Sequence, residues 1–175
     1  MKPNILLAGV TGYIGKNLIQ SIKDDATLFT MSKYPKEDEF QEVTWLKKDI
    51  YNYNDVLESM EGMDMAIYYI DPTKHSAKLT KATARDMNLI AADNFGRATA
   101  KKGIKKIIYI SGSRFDNESI ERLSAYGTPV EKTEVKVSRP HVAVELQVSK
   151  YDDVRSALNV QLPMNWTLNQ MVEYY

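Results

Sequence analysis

The sequence predicts an α/β protein with a doubly wound, mostly parallel sheet. Short apolar runs alternate along the chain with longer segments in which apolar residues recur at helical spacing. A turn rich in glycine directly follows the first apolar run. Right-handed crossovers between such strands would cover both faces of one sheet. The 175 residues, of which 43% are hydrophobic, suffice for a single domain with a substantial core.

The first part of the chain contains four predicted strands and two predicted helices. The strands are apolar runs bounded by polar or turn residues, and they cover residues 4–8, 27–31, 43–46 and 65–70. The last of these runs is apolar on both faces, as a central parallel strand should be. The first helix begins near Gly12, with an apolar face of Ile14, Leu18, Ile19 and Ile22. The second helix is capped by Asn54 or Asp55 and ends at Gly62.

A long helix and a fifth strand follow, and beyond Gly112 the pattern is weaker. The helix covers residues 83–102 and ends with two lysines and Gly103, and the strand covers residues 107–110. The predicted buried face of this helix consists of Met87, Ile90, Ala91, Phe95 and Ala98. Residues 118–125, 152–159 and 167–175 are predicted to be helical. Alternating valines over residues 135–148, interrupted by Pro140, indicate a broken or edge strand pair.

Composition excludes several classes of function. Lys and Arg together number 23, as do Asp and Glu, so there is no basic field for nucleic acid or anionic lipid. Cysteine is absent, and the only two histidines, His75 and His141, have no metal-ligand spacing, so no metal is predicted. The first apolar run is too short for a signal peptide, and no run approaches the ~18 residues of a membrane span. A cytoplasmic location is therefore expected.

The glycine turn has the spacing expected of a dinucleotide site. Gly9, Gly12 and Gly15 follow a predicted strand and open a predicted helix. Gly9 would permit the tight turn after the strand. Gly12 would let a pyrophosphate approach the backbone, and Gly15 would let the helix pack closely on the sheet. With Thr11, Tyr13 and Ile14 of the same turn they form the predicted phosphate site of a Rossmann-like fold. The alternative is a packing turn without a ligand.

The end of the second strand bears on which dinucleotide would bind. An acidic residue there accepts a hydrogen bond from the ribose 2'-hydroxyl of NAD and repels the 2'-phosphate of NADP. The first acid after this strand is Glu37, whereas Ser32 and Lys33 could hold a phosphate. The sequence therefore favours NADP(H) over NAD(H). The alternative is that Lys33 is an ordinary solvated lysine.

Several stretches resemble the NmrA-like group of atypical short-chain dehydrogenase/reductases. They are GVTGYIGKNL at 9–18, KKDIYN at 47–52, AIYYID at 66–71, ARDMNLIAADNFGRATAKKGIKKIIYISG at 84–112 and, less clearly, DDVRSAL at 152–158. The resemblance implies that the segment with Asp49 and Ile50 binds cofactor, with Asp49 beside the adenine. It also implies that Tyr69, Ile70 and Asp71 border the ribose or pyrophosphate, and that Ser111 and Gly112 face the nicotinamide. The alternatives are a solvated carboxylate at Asp49 and mere packing of Tyr68 and Tyr69.

The catalytic pair of hydride-transferring relatives is missing from this sequence. Those enzymes resemble one another in a Tyr-x-x-x-Lys helix, where the lysine lowers the pKa of the proton-donating tyrosine. None of the 11 tyrosines is followed by lysine at that spacing, and the nearest case is Tyr151 with Arg155. Ser111 and Tyr126 remain as candidates near the hydride. Members of the resembled group often lack the pair and still bind cofactor.

Three functional hypotheses follow. The first is an NAD(P)H-dependent oxidoreductase acting on a quinone-like or small carbonyl substrate. The second is a non-catalytic NADP(H)-sensing regulator that binds a protein partner, and the third is a relative without a ligand. Residues 1–175 are expected to form one NAD(P)-binding domain, with a nucleotide-binding core over 1–112. Residues 113–175 would form a reduced substrate or dimer region, so a homodimer is one way to complete a small pocket.

Overall fold

We describe a computed structural model of the chain. It describes residues 2–11, 13–70, 82–111, 115–137, 143–147 and 161–163, with the side chains of residues 13, 14, 16 and those beyond 133 left out. The strands are β1 Asn4–Ala8, β2 Thr27–Ser32, β3 Thr44–Lys47, β4 Met65–Tyr68, β5 Ile107–Ile110, β6 Val130–Val137, β7 Ala143–Gln147 and β8 Gln161–Pro163. The helices are α1 Tyr13–Ile22, α2 Tyr53–Ser59, α3 Ala84–Lys102 and α4 Asp116–Ser124.

The described strands form one sheet in the order β3-β2-β1-β4-β5-β6-β7-β8. The first six in this order pair in parallel, and β7 and β8 extend the sheet in antiparallel pairing. The predicted doubly wound, mostly parallel α/β fold is therefore confirmed. The chain changes direction across the sheet between β1 and β4, which is the position where folds of this kind leave a crevice for a ligand.

Each face of the sheet carries its own hydrophobic core. Ile5 and Leu7 of β1 pack on one face with residues of α1, while Leu6 and Ala8 pack on the other with residues of α2, α3 and α4. Successive side chains of a strand point to opposite faces, so β1 contributes to both cores. This explains why the central strands read as continuous apolar runs in the sequence.

Helix α3 has clear boundary signals but a different buried face from the one predicted. Thr83 caps its start in a capping box with Asp86, and Gly103 ends it with a φ of 66°. Ile90, predicted to be buried, is 44% exposed. The buried face also includes Asn88, Ala92, Gly96 and Thr99, because α3 packs on both the sheet and α4. Ile90 projects away from the middle of that wider face.

Other predicted boundaries differ from the structure by a few residues. Asn52, rather than Asn54 or Asp55, caps α2 by accepting a hydrogen bond from the backbone of Asn54, and the helix ends at Ser59 before Gly62. Helix α4 begins at Asp116, and β6 begins at Val130 rather than at residue 135. Strands β6 and β7 form the predicted pair on either side of Pro140. The helices predicted over 152–159 and 167–175 lie outside the described residues, and the short strand β8 was not predicted.

The segments that follow β1 and β4 meet backbone to backbone. The Tyr69 N–H donates a hydrogen bond of 2.8 Å to the Ala8 carbonyl. Gly9 has a φ of 97°, and a Cβ placed on it would lie 1.4 Å from the Tyr69 carbonyl oxygen. A Cβ on Gly15 would lie 2.3 Å from the Cα of Val10. Both glycines are therefore required for the chain to pass from β1 into α1 close to the sheet.

We predict that Gly9→Ala destabilises the fold by about 3 kcal/mol or more. The methyl group would add overpacking against the Tyr69 backbone to the cost of a left-handed alanine. The matched control is Gly62→Ala, because Gly62 also has a positive φ, 71°, but no described atom lies within 4 Å of the added Cβ. This control should lose only about 1 to 2 kcal/mol. Equal losses for the two variants in urea denaturation would contradict the close approach at Gly9.

Candidate functional site

The predicted site residues lie on segments that leave one edge of the sheet. Strands β1, β2, β3, β4 and β5 are parallel, so the residues that follow each of them emerge at the same carboxyl edge. These segments contain Gly9, Lys33, Asp49, Tyr69 and Ser111. In open α/β sheets, ligands bind outside this edge, at the crevice where the strand order reverses.

The glycine turn joins the end of β1 to the start of α1. Gly9 and Gly15 are committed to backbone packing, as described above. Thr11, between them, is exposed, and Val10 is buried in the core on the α1 side. Gly12, which would meet the phosphates, and the side chains of Tyr13 and Ile14 lie outside the described residues. The N-terminus of α1 follows at once, and its free N–H groups and positive dipole suit an anion.

Ser32 and Lys33, at the end of β2, already have partners within the protein. The Ser32 hydroxyl accepts a hydrogen bond of 3.1 Å from the Tyr34 N–H, which closes a tight turn. The Lys33 ammonium lies 3.0 Å from Asp49 Oδ2. The hydrogen bond that Lys33 donates to Asp49, followed by the negative charge of Asp49, raises the pKa of Lys33. Lys33 is therefore not a freely solvated lysine, although its side chain is 61% exposed.

Asp49 organises the loop between β3 and α2. Its Oδ1 accepts a 3.0 Å hydrogen bond from the Tyr51 N–H, and its own N–H donates to Asp55 Oδ2 at 2.9 Å. The Asn94 side-chain amide, on α3, donates a 3.1 Å hydrogen bond to the Ile50 carbonyl. The Asp49 side chain is 26% exposed and acts as more than a solvated carboxylate. Asp55 was predicted only as a possible helix cap and Asn94 was not predicted at all, because their sequence signal is merely a polar residue beside an apolar helix face.

The residues that end β4 contribute mainly packing. Tyr69 packs against the core on the α1 side, and Ile70 packs against the opposite core. Tyr68 is fully buried, and its hydroxyl has no hydrogen-bond partner among the described residues. Burial raises the pKa of Tyr68 well above its usual value, so the phenol stays neutral. Asp71 lies outside the described residues.

Ser111 and Tyr109 lie at the end of β5. Ser111 is buried, and its N–H donates a 2.8 Å hydrogen bond to the Thr133 carbonyl of β6. The Tyr109 hydroxyl donates a 2.7 Å hydrogen bond to Asp116 Oδ1. Burial, followed by this hydrogen bond, raises the pKa of Tyr109. Gly112 lies outside the described residues.

Tyr126 lies at the wrong edge of the sheet for a role beside the nicotinamide. Strands β5 and β6 are parallel, so α4 returns from the carboxyl edge to the amino edge between them. Tyr126 follows α4 and precedes β6, and its hydroxyl donates a 2.9 Å hydrogen bond to Asp93 Oδ1 on α3. The fold therefore separates Tyr126 from Ser111. Tyr151 and Arg155 lie outside the described residues.

Other features of the described residues lie away from this edge or carry no site. A shallow depression of about 350 Å³ between α3 and α4 is lined by Leu89, Ile90, Asp93, Asn94 and Arg122. Its lining mixes apolar and charged side chains and does not include the glycine turn. In the described part of the chain, no group of three or more histidines or acids could hold a metal. None of the helices there is long and apolar enough to cross a membrane.

Comparison with known proteins identifies relatives of the whole chain and of its fold. The chain is 58% identical over 177 residues to "Auxiliary protein GraX" of Staphylococcus aureus (strain NCTC 8325 / PS 47). That match covers 100% of this chain, which spans 58% of the length of GraX.

Two solved structures share the fold at low identity. The Bordetella bronchiseptica enzyme WbmH in complex with NAD+ has 10% identity and a TM-score of 0.61, covering 77% of this chain and 56% of that chain. The Citrobacter sp. triphenylmethane reductase complexed with NADP(H) has 12% identity and a TM-score of 0.58, covering 78% of this chain and 50% of that chain.

The family comparison carries the assignment, because it covers most of the sheet and the glycine turn. The model of the NAD dependent epimerase/dehydratase family matches residues 5–140, from β1 to beyond β6. The NmrA-like subgroup remains a prediction from the sequence. Matched over more than half of its length, the chain belongs to the NAD dependent epimerase/dehydratase family.

Proposed function

We propose that the chain binds a nicotinamide dinucleotide along the carboxyl edge of the sheet. The pyrophosphate would rest on the turn between β1 and α1, with the adenosine over β2 and β3 and the nicotinamide toward β5. The main support is the tight glycine turn, where Gly9 approaches the Tyr69 carbonyl and the chain leads directly into the N-terminus of α1. Family membership and neighbours described with NAD+ and NADP(H) also support the proposal.

Dinucleotide binding predicts a rise in stability when the ligand is added. NADPH or NADP+ at 100 times its dissociation constant should raise the free energy of unfolding by about 2.7 kcal/mol, because it binds only the folded state. Differential scanning fluorimetry would detect this as a higher melting temperature. Nicotinamide mononucleotide, which lacks the adenosine half, should give a smaller shift. No shift with NADP(H) or NAD(H) would contradict the proposal and favour a packing turn without a ligand.

We propose further that the site prefers NADP(H) to NAD(H). Lys33 carries the positive charge nearest the end of β2, where the 2'-substituent of the ribose would lie. Its ion pair with Asp49 is largely exposed, so it contributes little stability. A phosphate could therefore bind the Lys33 ammonium at small cost to the fold. Ser32 would contribute indirectly, because the turn that its hydroxyl closes fixes the backbone at Lys33.

The preference predicts a selective effect of Lys33→Ala. Loss of a charge-assisted contact should weaken NADP(H) binding about tenfold or more and leave NAD(H) binding nearly unchanged. Isothermal titration calorimetry of both dinucleotides would measure the two changes. Lys36→Ala is the control, because Lys36 is an exposed lysine of the same loop that pairs with Glu39. A parallel loss for both dinucleotides in Lys33→Ala would contradict recognition of the 2'-phosphate.

As an enzyme, the chain would act as an oxidoreductase on a quinone-like or small carbonyl compound. A bound reduced nicotinamide supplies a hydride to an acceptor. Ser111, a buried polar residue directly after β5, would orient that acceptor. A quinone can take its proton from water after hydride transfer, so it needs no tyrosine with a lowered pKa. Residues 113–175 would form a small substrate or dimer region.

A second candidate is an NADP(H)-sensing regulator that binds a protein partner. The missing Tyr-x-x-x-Lys spacing favours it, because none of the 11 tyrosines has the lysine that would lower its pKa. The printed name of the 58% identical relative, an auxiliary protein, is in keeping with a supporting role. Such a protein would bind the oxidised and reduced dinucleotides with different affinity and would not turn them over.

Turnover separates the two candidates. An oxidoreductase should oxidise NADPH when benzoquinone, menadione or a small aldehyde is added, and the absorbance of NADPH at its long-wavelength band should fall. In that case Ser111→Ala should lower the rate without changing NADPH affinity. Binding of NADPH without oxidation by any of these acceptors, together with unequal affinities for NADP+ and NADPH, would support the sensor.

A further inference from the structure

Tyr34 is an exposed aromatic residue at the carboxyl edge. Among the side chains that the structure describes, the exposed large hydrophobics are Tyr34 at 77% exposure and Ile90 and Tyr126 at 44%. Leaving a large ring in water forgoes the gain of burying it, so such a ring on a loop is a common ligand contact. Ile90 and Tyr126 lie near the depression between α3 and α4, whereas Tyr34 directly follows β2.

The backbone that carries Tyr34 is held in a defined turn. The Tyr34 N–H donates to the Ser32 hydroxyl, and that hydroxyl donates to the Tyr34 carbonyl, each at 3.1 Å. The next segment of the sheet is tied to the same place, because the Lys48 N–H donates a 3.1 Å hydrogen bond to the Ser32 carbonyl. The backbone at Tyr34 is therefore fixed near the start of the loop that contains Asp49.

Tyr34, Lys33 and Asp49 together form what we call the outer rim. The Lys33 ammonium bridges toward Asp49 at 3.0 Å. Tyr34 is the next residue after Lys33, in the turn that the Ser32 hydroxyl closes. Asp49 is fixed in turn by the Tyr51 N–H. The outer rim thus combines an aromatic face, a cation and a carboxylate from two neighbouring strand ends.

The position of the outer rim matches the adenine end of an extended dinucleotide. The pyrophosphate lies at the end of β1 and the ribose at the end of β2, so the base lies farther out, toward β3. The outer rim is built where β2 and β3 end, with Ser32 paired to Lys47 in the sheet. From this juxtaposition we infer that Tyr34 stacks on the adenine base of the bound nucleotide and contributes to the affinity for it.

The inference rests on the proposed dinucleotide site and divides recognition between two adjacent residues. Tyr34 would contact a group that NAD(H), NADP(H) and ADP-ribose all share, whereas Lys33 would contact only the 2'-phosphate. An aromatic ring stacks on a base through its π-face, so the phenol hydroxyl is not required. Replacement of Tyr34 should accordingly affect all adenine nucleotides to the same extent, unlike replacement of Lys33.

Calorimetric titration of the full chain with NADPH, NADH and ADP-ribose tests the inference. Tyr34→Ala should weaken all three about tenfold, which corresponds to ~1.4 kcal/mol and lies within the range for base stacking. Tyr34→Phe should bind as the unchanged protein does. Neither substitution should lower the melting temperature without ligand, because the side chain is 77% exposed. In Tyr34→Trp, added ADP-ribose should quench the new indole fluorescence, with Tyr34→Phe as the background.

The outcomes separate the inference from the proposed function. Nucleotide binding that is unaffected in Tyr34→Ala, or lost equally in Tyr34→Phe, would overturn the stacking role and leave the dinucleotide site standing. Failure of the unchanged protein to bind any of the three ligands would contradict the proposed function and the inference together. A tenfold loss restricted to NADPH would also overturn the inference, because it would assign Tyr34 to the 2'-phosphate.

Discussion

The backbone contact between the end of β1 and the end of β4 is the constraint on which the site depends. The Tyr69 N–H extends the pairing of these strands by donating a hydrogen bond to the Ala8 carbonyl. Gly9 is the residue that directly follows β1. The carbonyl of Tyr69 occupies the space that a Cβ would need. Only glycine can pass there, and its positive φ turns the chain toward α1. The chain consequently enters α1 directly beyond the end of β1, and the N-terminus of a helix suits the charge of a pyrophosphate.

The loops that follow β2 and β3 are organised by contacts within the protein. Asp49 is held by the Tyr51 N–H and by Lys33, and the Asn94 amide fixes the Ile50 carbonyl. A loop whose polar groups already have internal partners loses little conformational entropy on binding. On binding NADP(H), the Lys33 ammonium would exchange the Asp49 carboxylate for the 2'-phosphate. Both anions can accept hydrogen bonds from the ammonium, so Lys33 would not be left without a partner. Recognition at this end can therefore be selective without a large rearrangement.

The sequence predicts the sheet better than it predicts the site. Apolar runs gave β1 and β5 with correct bounds, because a strand buried on both faces leaves an unbroken signal. Ile90 was misplaced, because the pattern cannot reveal that α3 packs on α4 as well as on the sheet. The pairing of Lys33 with Asp49 depends on the register of β2 and β3, and the placement of Tyr126 depends on the direction of α4. Neither is encoded in local spacing.

The two halves of the crevice differ in the chemistry they can support. The adenosine half offers a cation, a carboxylate and an exposed aromatic ring in fixed positions. Near the β5 end, the described tyrosines Tyr68 and Tyr109 have pKa values raised by burial, and a phenol of this kind donates a proton poorly near neutral pH. If a dinucleotide binds here as proposed, this arrangement suits an acceptor that needs hydride alone, or a protein whose output is the bound state itself. In either case, most of the binding energy would come from contacts with the adenosine half of the dinucleotide. The part of the protein that covers the end of β5 would then decide whether hydride leaves the nicotinamide.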